Sequence, residues 1–194
     1  MNIWAVIPAK PVNEGKSRLA GVLTLEQRAR LNEYLFRRTL AIVCGVLPPT
    51  QVMVVTRDTG LLGIAAAAGA IALTERGHDL NQALHQAAEF PRLTGALLAI
   101  SSDLPDLEAD DIHALLAARE KIVVAPDRAH LGTNALLTAP AGFIPFRFGQ
   151  NSFALHCAEA NERGISPHIV SRPGLAFDLD TPKDLRACPN LTSG

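Results

Sequence analysis

Short apolar runs alternate with amphipathic segments along the first two thirds of the chain. The runs are apolar almost throughout and bounded by Pro, Gly or Asp, which is the pattern of buried strands. They read IWAVIP (3–8), QVMVVT (51–56), AIALTE (70–75), GALLAISS (95–102) and KIVVAP (121–126). Between them, apolar positions recur with the spacing of a helix, so consecutive strands are predicted to be joined by helices.

The first predicted helix has the clearest start signal. Thr24 is placed as its N-cap, and Gln27 as the reciprocal partner of a capping box. Its apolar side is formed by Leu31, Leu35, Phe36, Leu40 and Val43. Further helices are expected near 60–68, 80–89 and 109–119. This alternation predicts a parallel sheet covered by helices on both faces, with ligands at the carboxyl ends of its strands.

Beyond Pro126 the rhythm changes. Shorter strands are predicted in NALLTAP (134–140), in PFRFG (145–149) and between 167 and 180, interleaved with one helix over 152–163. The sheet is therefore expected to be mixed. Because no repeat, low-complexity tract or linker interrupts the chain, we expect one α/β domain over residues 1–194.

Charge and composition narrow the classes of partner. The formal net charge of −1 provides no basic field for polymeric nucleic acid, so an anionic ligand has to be bound by local groups. The three cysteines are far apart and include no C-x-x-C pair, which fits reduced thiols in the cytoplasm. No segment approaches about 18 uninterrupted apolar residues. We therefore expect a cytoplasmic protein with no membrane partner.

The loop after the first strand is rich in cations. Lys10, Lys16 and Arg18 lie where a phosphate binds in sheets of this kind, and a solvated basic loop is the alternative. The tripeptide Gly15-Lys16-Ser17 matches the tail of the P-loop motif. However, Lys10 stands where the first glycine of that motif belongs, and no helix is predicted to follow at once. We therefore exclude a P-loop; the dinucleotide fingerprint G-x-G-x-x-G is absent as well.

Three aspartates are candidates for a cation site. Asp103 ends the fourth predicted strand in the motif SSDLP. Asp178 and Asp180 stand at i and i+2 of the segment AFDLDTP, which would point both carboxylates to the same side of an extended chain. Clustered carboxylates suggest a hard cation such as Mg²⁺, shared with the phosphates of a substrate. Helix capping is the alternative for Asp103, and a helix N-cap or a turn position is the alternative for one of the pair Asp178 and Asp180.

Two glycine-containing turns, GTNALL and FRFGQNSF, are suited to a small anion. They carry Thr133, Gly149 and Ser152, and Ser152 is predicted to begin a helix whose backbone amides face an anion. His156 follows on the same helix, where a packing role is favoured over a functional one. The histidines show no zinc-binding spacing.

The motifs IPAKP, GKSRL, SSDLP, GTNALL, PFRFGQNSF and FDLDTP, in this order, resemble one family over nearly the whole chain. It is the guanylyltransferase family that activates 2-phospho-L-lactate or a related phospho-acid in biosynthesis of the deazaflavin coenzyme F-420. The resemblance implies a nucleotidyltransferase fold of the glycosyltransferase-A, Rossmann-like class, with a mixed, mainly parallel sheet between helices. It also implies an enzyme that uses Mg²⁺, GTP and a small phospho-acid, and it leaves a homodimer open.

The resemblance assigns roles to residues of this sequence. The metal corresponds to Asp103, Asp178 and Asp180. The phospho-acid site corresponds to Thr133, Gly149 and Ser152. The loop FGQNSF departs from the many relatives that have Pro before the Gly-Ser pair. The motifs do not separate 2-phospho-L-lactate, phosphoenolpyruvate and 3-phospho-D-glycerate.

The nucleotide site follows from the same resemblance. Lys10, Lys16 and Arg18 match the basic nucleotide loop, and Lys16, Arg18 and Asp103 are the expected catalytic residues. GHDLNQAL (77–84) resembles the part of the fold that lines the base and ribose, which makes Asn81 a candidate for nucleotide binding. A transferase of the same fold with another acceptor, such as a sugar phosphate or the molybdenum cofactor, and a non-catalytic nucleotide-binding domain are the alternatives.

Overall fold

The apolar runs of the sequence become neighbouring strands of one sheet. The computed structural model describes residues 2–77, 79–188 and 191; His78, in the segment resembling the base-lining part, lies outside them. The strands are β1 (Ile3–Pro8), β2 (Val52–Thr56), β3 (Ile71–Thr74), β4 (Ala96–Ile100), β5 (Ile122–Pro126), β6 (Thr133–Thr138) and β7 (His168–Ile169). The five strands predicted up to Pro126 are confirmed, because β1 to β5 lie within them.

Helices follow most of the strands. They are α1 (Leu25–Val46), α2 (Thr59–Ala67), α3 (Leu80–Ala88), α4 (Ala109–Ala117), α5 (Ser152–Glu162), α6 (Pro173–Ala176) and α7 (Pro182–Ala187). Five of these helices, α1 to α5, lie at the predicted places, whereas the short helices α6 and α7 were not predicted, and α6 lies in a region predicted as strand. Thr24 and Gln27 form the predicted capping box at the start of α1. In the part of the chain that the structure describes, no helix combines the length and the apolar character needed to cross a membrane.

The sheet is mixed and mainly parallel, which confirms the expected fold class. Its strand order is β3-β2-β1-β4-β6-β5-β7. Strand β6 runs antiparallel to both of its neighbours, whereas the other neighbouring strands pair in parallel. Ile100 at the end of β4 therefore pairs with Ala135 near the start of β6. The amino end of β6 and the carboxyl end of β4 thus share one edge of the sheet.

Apolar side chains cover both faces of the sheet. Along β1, Ala5 and Ile7 pack into one cluster, whereas Trp4 and Val6 pack into the cluster on the opposite face. The first cluster also contains Phe36, Leu40 and Val43 of α1. Alternate residues of a strand point to opposite faces, so a fully apolar strand requires cover on both sides. Packing on both faces fixes the positions of the strand ends, from which the loops that carry the candidate site residues begin.

Two predicted strand segments are not strands. In 145–149, the backbone is bonded to side chains instead of to a neighbouring strand. The Phe148 backbone exchanges two hydrogen bonds with the Asn81 side-chain amide, at 2.8 and 3.1 Å. In 176–180, the Leu179 amide bonds to the Asp103 carbonyl at 3.1 Å, but the Asp180 amide bonds to the Asp184 carboxylate at 3.2 Å. The strand predictions for these two segments were therefore wrong.

Candidate active site

A cavity of about 950 Å³ opens at the edge where β1 and β4 end and β6 begins. This is the edge at which a sheet of this kind binds ligands. Of the residues that sequence reasoning selected, nine line the cavity: Lys10, Lys16, Arg18, Asp103, Thr133, Gly149, Ser152, Asp178 and Asp180. Residues spread over most of the chain therefore meet in one place.

The basic loop closes onto the aspartates. Lys16 has a left-handed backbone, with φ of 56°. Its ammonium group lies 2.6 Å from Asp103 Oδ2 and 3.1 Å from Asp180 Oδ1, and its side chain is only 5% exposed. Arg18 donates to Asp180 Oδ2 at 3.2 Å but keeps 72% of its side-chain surface exposed. Lys16 is therefore not the solvated cation of a flexible loop.

Burial and charge act in opposite directions on Lys16 and Asp103. Burial alone would lower the pKa of Lys16, but the charges and hydrogen bonds of the two carboxylates outweigh it and raise the pKa. Burial would raise the pKa of Asp103, but Lys16 and a 2.7 Å hydrogen bond from the Ser101 hydroxyl lower it. Both groups are therefore charged at neutral pH.

Asp178 is the least compensated of the three aspartates. Burial raises its pKa, and the negative charges of Asp103 and Asp180 raise it further. The Asn134 amide opposes the shift from 3.5 Å. Positive charge added beside Asp178 would therefore be favourable, because the carboxylates outnumber the cations that pair with them.

None of the three aspartates caps a helix. Glu108 is the N-cap of α4, and Thr181 is the N-cap of α7. The capping alternative is therefore wrong for Asp103, Asp178 and Asp180. The described residues contain no group of three or more His, Cys, Asp or Glu side chains arranged to hold a metal ion. What the aspartates share is one wall of the cavity, with Lys16 between two of them.

Asp184, which sequence reasoning missed, supports the paired aspartates. Its Oδ2 accepts hydrogen bonds from the amides of Asp180 and Thr181, at 3.2 and 2.7 Å. Its other carboxylate oxygen pairs with Arg128, whose guanidinium lies over the Phe177 ring at 4.7 Å. The Thr-Pro-Lys-Asp sequence from Thr181 is a capping-box signature that could have revealed this support.

The two turns predicted to bind a small anion also line the cavity. Ser152 is the first residue of α5, and its amide donates to the Gly149 carbonyl at 3.2 Å. Gly149 has φ of 124°, a conformation that a side chain would strain. Thr133 begins β6 on the same edge, next to Asn134, whose carbonyl accepts a hydrogen bond from the Ser101 amide at 2.8 Å. Strand β6 thereby brings Thr133 and Asn134 to the edge of the sheet where the aspartates lie.

His156 connects two of these elements. It is fully buried, with Nδ1 3.0 Å from Thr133 Oγ1 and Nε2 accepting from the Arg147 amide at 3.0 Å. Burial lowers its pKa to about 4; Arg147 adds to this shift and Glu159 opposes it. His156 is buried, as a packing histidine would be, but it also makes polar contacts that the sequence did not indicate.

Asn81 is the selected residue that the structure places differently. It is not among the described residues that line the cavity. Both ends of its side-chain amide are bonded to the backbone of Phe148. Asn81 therefore supports the segment that leads to Gly149, and its amide is not directed at a nucleotide in this structure.

Comparison with known proteins gives strong sequence matches. The family model described as "Guanylyl transferase CofC like" matches residues 3–188. The phosphoenolpyruvate guanylyltransferase of Rubrobacter xylanophilus is 40% identical over 190 residues, covering 95% of this chain and 92% of that protein. The 3-phospho-D-glycerate guanylyltransferase of Colwellia psychrerythraea is 34% identical over 192 residues, covering 97% and 91%.

Solved structures share the fold at low sequence identity. A putative nucleotide-diphospho-sugar transferase from Desulfovibrio desulfuricans gives a TM-score of 0.75 at 16% identity, covering 99% of this chain and 89% of that one. CMP:2-keto-3-deoxy-manno-octonic acid synthetase, solved with CTP, gives 0.64 at 14% identity, covering 100% and 99%. These neighbours confirm the expected fold of nucleotidyltransferases of the glycosyltransferase-A type.

Proposed function

The chain belongs to the family of CofC-like guanylyl transferases, and we propose that it transfers GMP from GTP to the phosphate of a small phospho-acid, releasing pyrophosphate. We propose phosphoenolpyruvate as the first acid to test, because the relative from Rubrobacter xylanophilus, at 40% identity, is named for it. The motif resemblance supports a role in biosynthesis of the deazaflavin coenzyme F-420.

One observation carries this proposal: a single cavity is lined by cations, by carboxylates and by the turn residues proposed to bind a small anion. The cavity has Lys16, Arg18 and the three aspartates in its lining, together with Thr133, Gly149 and Ser152. Its volume of about 950 Å³ lies near the upper end of the range for small-molecule sites, roughly 300–1,000 Å³. It therefore has room for a nucleotide and a small acid together.

The proposed reaction needs no protein nucleophile. An oxygen of the acid's phosphate attacks the α-phosphorus of GTP, and the bond from that phosphorus to the pyrophosphate oxygen breaks. The attacking phosphate is already ionised at neutral pH, so no general base is required. The protein contributes alignment and charge. Lys10, Lys16 and Arg18 supply cations for the triphosphate, and Thr133, Gly149 and Ser152 orient the acid.

The aspartates offer the oxygen ligands that a magnesium ion prefers, although the described residues are not arranged as a formed metal site. Lys16 lies between Asp103 and Asp180. Asp178 pairs with neither Lys16 nor Arg18, and burial and the other two aspartates raise its pKa. We propose that the three aspartates hold Mg²⁺. When bound there, Mg²⁺ would neutralise phosphate charge that the basic loop alone does not cover.

The test is acceptor screening. The protein is incubated with GTP, MgCl₂ and one acceptor: phosphoenolpyruvate, 3-phospho-D-glycerate, 2-phospho-L-lactate, a sugar phosphate or the molybdenum cofactor. Each diphosphate product is identified by mass spectrometry. A GMP adduct of one acid with equimolar pyrophosphate is expected. Products only with sugar phosphates or the molybdenum cofactor would show a different acceptor. No pyrophosphate with any acceptor would indicate a non-catalytic nucleotide-binding domain.

A further inference from the structure

The buried imidazole of His156 touches the wall of the cavity from behind. His156 is not among the described residues that line the cavity, but its hydrogen-bond partner Thr133 is. The opposite side of the ring accepts from the backbone of Arg147, two residues before Gly149. One side chain thus connects a strand end and a turn, both proposed to bind the phospho-acid.

The contacts of His156 determine which ring nitrogen carries the proton. A backbone amide can only donate, so Nε2, which faces the Arg147 amide at 3.0 Å, must present its lone pair. The ring is neutral at pH 7, since burial lowers its pKa to about 4. A neutral imidazole has one N–H, which is therefore on Nδ1. That N–H donates to Thr133 Oγ1 across 3.0 Å.

This tautomer sets the polarity of the Thr133 hydroxyl. The oxygen accepts from His156, so the hydroxyl hydrogen is free to donate elsewhere. Among the described residues, Thr133 Oγ1 has no hydrogen-bond partner other than His156. Thr133 lines the cavity, so the hydroxyl hydrogen is available to a ligand that reaches it from there. A donor in this position favours an anionic oxygen, such as that of a carboxylate or phosphate.

We infer that His156 is a positioning residue of the phospho-acid site: it holds the Thr133 hydroxyl as a donor to the acid and anchors the segment that carries Gly149. This inference rests on the proposed function. A histidine with only a packing role would affect the KM values of both substrates alike, and its effect would not depend on the tautomer. The inference therefore predicts a result that a packing role does not.

Two substitutions divide the contacts of His156. His156→Asn keeps an amide near the position of Nδ1 and can still donate to Thr133. His156→Gln keeps an acceptor near the position of Nε2 for the Arg147 amide but loses the donor to Thr133. His156→Gln is expected to raise the KM for phosphoenolpyruvate about tenfold, with the KM for GTP within about twofold of wild type. His156→Asn leaves the Arg147 amide without its acceptor, so it should also raise the acid KM, through the segment that carries Gly149, while the KM for GTP stays within about twofold of wild type.

Combined variants test whether His156 acts through Thr133. Thr133→Val, which lacks the hydroxyl, should raise the acid KM as His156→Gln does. Thr133→Ser, which keeps a hydroxyl, should have a lower acid KM than Thr133→Val. The double variant of His156→Gln and Thr133→Val should have an acid KM no higher than that of Thr133→Val alone, because the two residues form one contact.

His85→Gln is the matched control: the His85 ring packs edge-on against Phe146 of the same segment, with 5.2 Å between the ring centroids, and His85 is not among the described residues lining the cavity.

The protonation state can be read without any variant. Nitrogen-15 NMR of labelled histidine in the wild-type protein should show His156 at pH 7 with a proton on Nδ1 and none on Nε2. A proton on Nε2, or an imidazolium, would overturn the inference even if every variant failed to fold. Unchanged acid KM in a folded His156→Gln protein, or additive effects in the double variant, would overturn it too.

Failure of the proposed function has a different signature. In that case the wild-type protein would release no pyrophosphate with GTP and any of the three acids. If only the inference about His156 is wrong, the wild-type protein transfers GMP and His156→Gln does so with the same acid KM.

Discussion

The Lys16 ammonium lies 2.6 Å from the Asp103 carboxylate, and the same ammonium reaches Asp180 at 3.1 Å. The pair joins the loop after β1 to the end of β4, 87 residues apart. Removing one partner of a buried ion pair leaves the other charge without compensation. Lys16 therefore contributes to the folded state as well as supplying charge proposed for the triphosphate.

Lys16→Met is expected to lower the free energy of unfolding by about 2–3 kcal/mol in magnesium-free buffer. This loss is smaller than the loss expected for a fully buried ion pair, because Asp103 and Asp180 keep some solvent contact. Urea denaturation monitored by circular dichroism measures it. Added MgCl₂ should raise the free energy of unfolding of the variant more than that of the wild type. Arg18→Met is the control: its exposed guanidinium should contribute at most about 1 kcal/mol. Equal stability of Lys16→Met and wild type would contradict this prediction.

Asp103→Asn and Asp180→Asn should each reduce magnesium-dependent pyrophosphate release at least about 100-fold, because each removes charge from the proposed cation site. Pyrophosphate release is followed at saturating GTP, and circular dichroism checks the fold. Asp106→Asn is the matched control, since Asp106 follows the same strand but is exposed and is not among the described residues lining the cavity. Near-normal release by either variant would remove that aspartate from the metal site.

Substitutions in the turn 149–152 should separate the two substrates. Ser152→Ala is expected to raise the KM for the phospho-acid about fivefold or more, through loss of one hydrogen bond to an anion. GTP binding measured by calorimetry should be unchanged. A parallel loss of GTP affinity would assign Ser152 to the nucleotide pocket.

Gly149→Ala should impair the acid site through backbone strain, because the space where a Cβ would stand is open but φ is 124°. A higher acid KM and a lower melting temperature are expected. Gly164→Ala is the control, since Gly164 also has positive φ, 69°, and open space around it but does not line the cavity among the described residues. It should lose stability and keep the acid KM. Equal acid KM values in the two variants would contradict the assignment.

His156 makes stability depend on pH. Its pKa of about 4 in the folded state lies below its usual 6.5, so the unfolded chain binds the additional proton first. The contribution of His156 to the free energy of unfolding is complete above pH 6.5 and is lost as the pH falls towards 4. This loss is at most about 3 kcal/mol. Urea denaturation between pH 4 and 7 measures this loss. In His156→Gln that part of the pH dependence should disappear, and an identical pH profile would contradict the folded-state pKa.

Local patterns were sufficient for much of the fold. The strands β1 to β5 follow directly from short apolar runs, and the Thr24 capping box follows from two residues three positions apart. Such features depend on near neighbours in the chain, so the sequence determines them without knowledge of the fold. Positions after predicted strands, glycine-containing turns and the motif resemblance together selected the nine residues that meet in the cavity.

Contacts between distant residues decided the rest. The antiparallel course of β6 places Thr133 beside the end of β4, and the segment 145–149 bonds to Asn81 and His156 where a strand was predicted. The pairing of Lys16 with Asp103 and the tautomer of His156 likewise depend on groups far away in sequence. Local periodicity carries no information on such partners, because hydrogen bonds and ion pairs are satisfied by whichever groups the folded chain brings together.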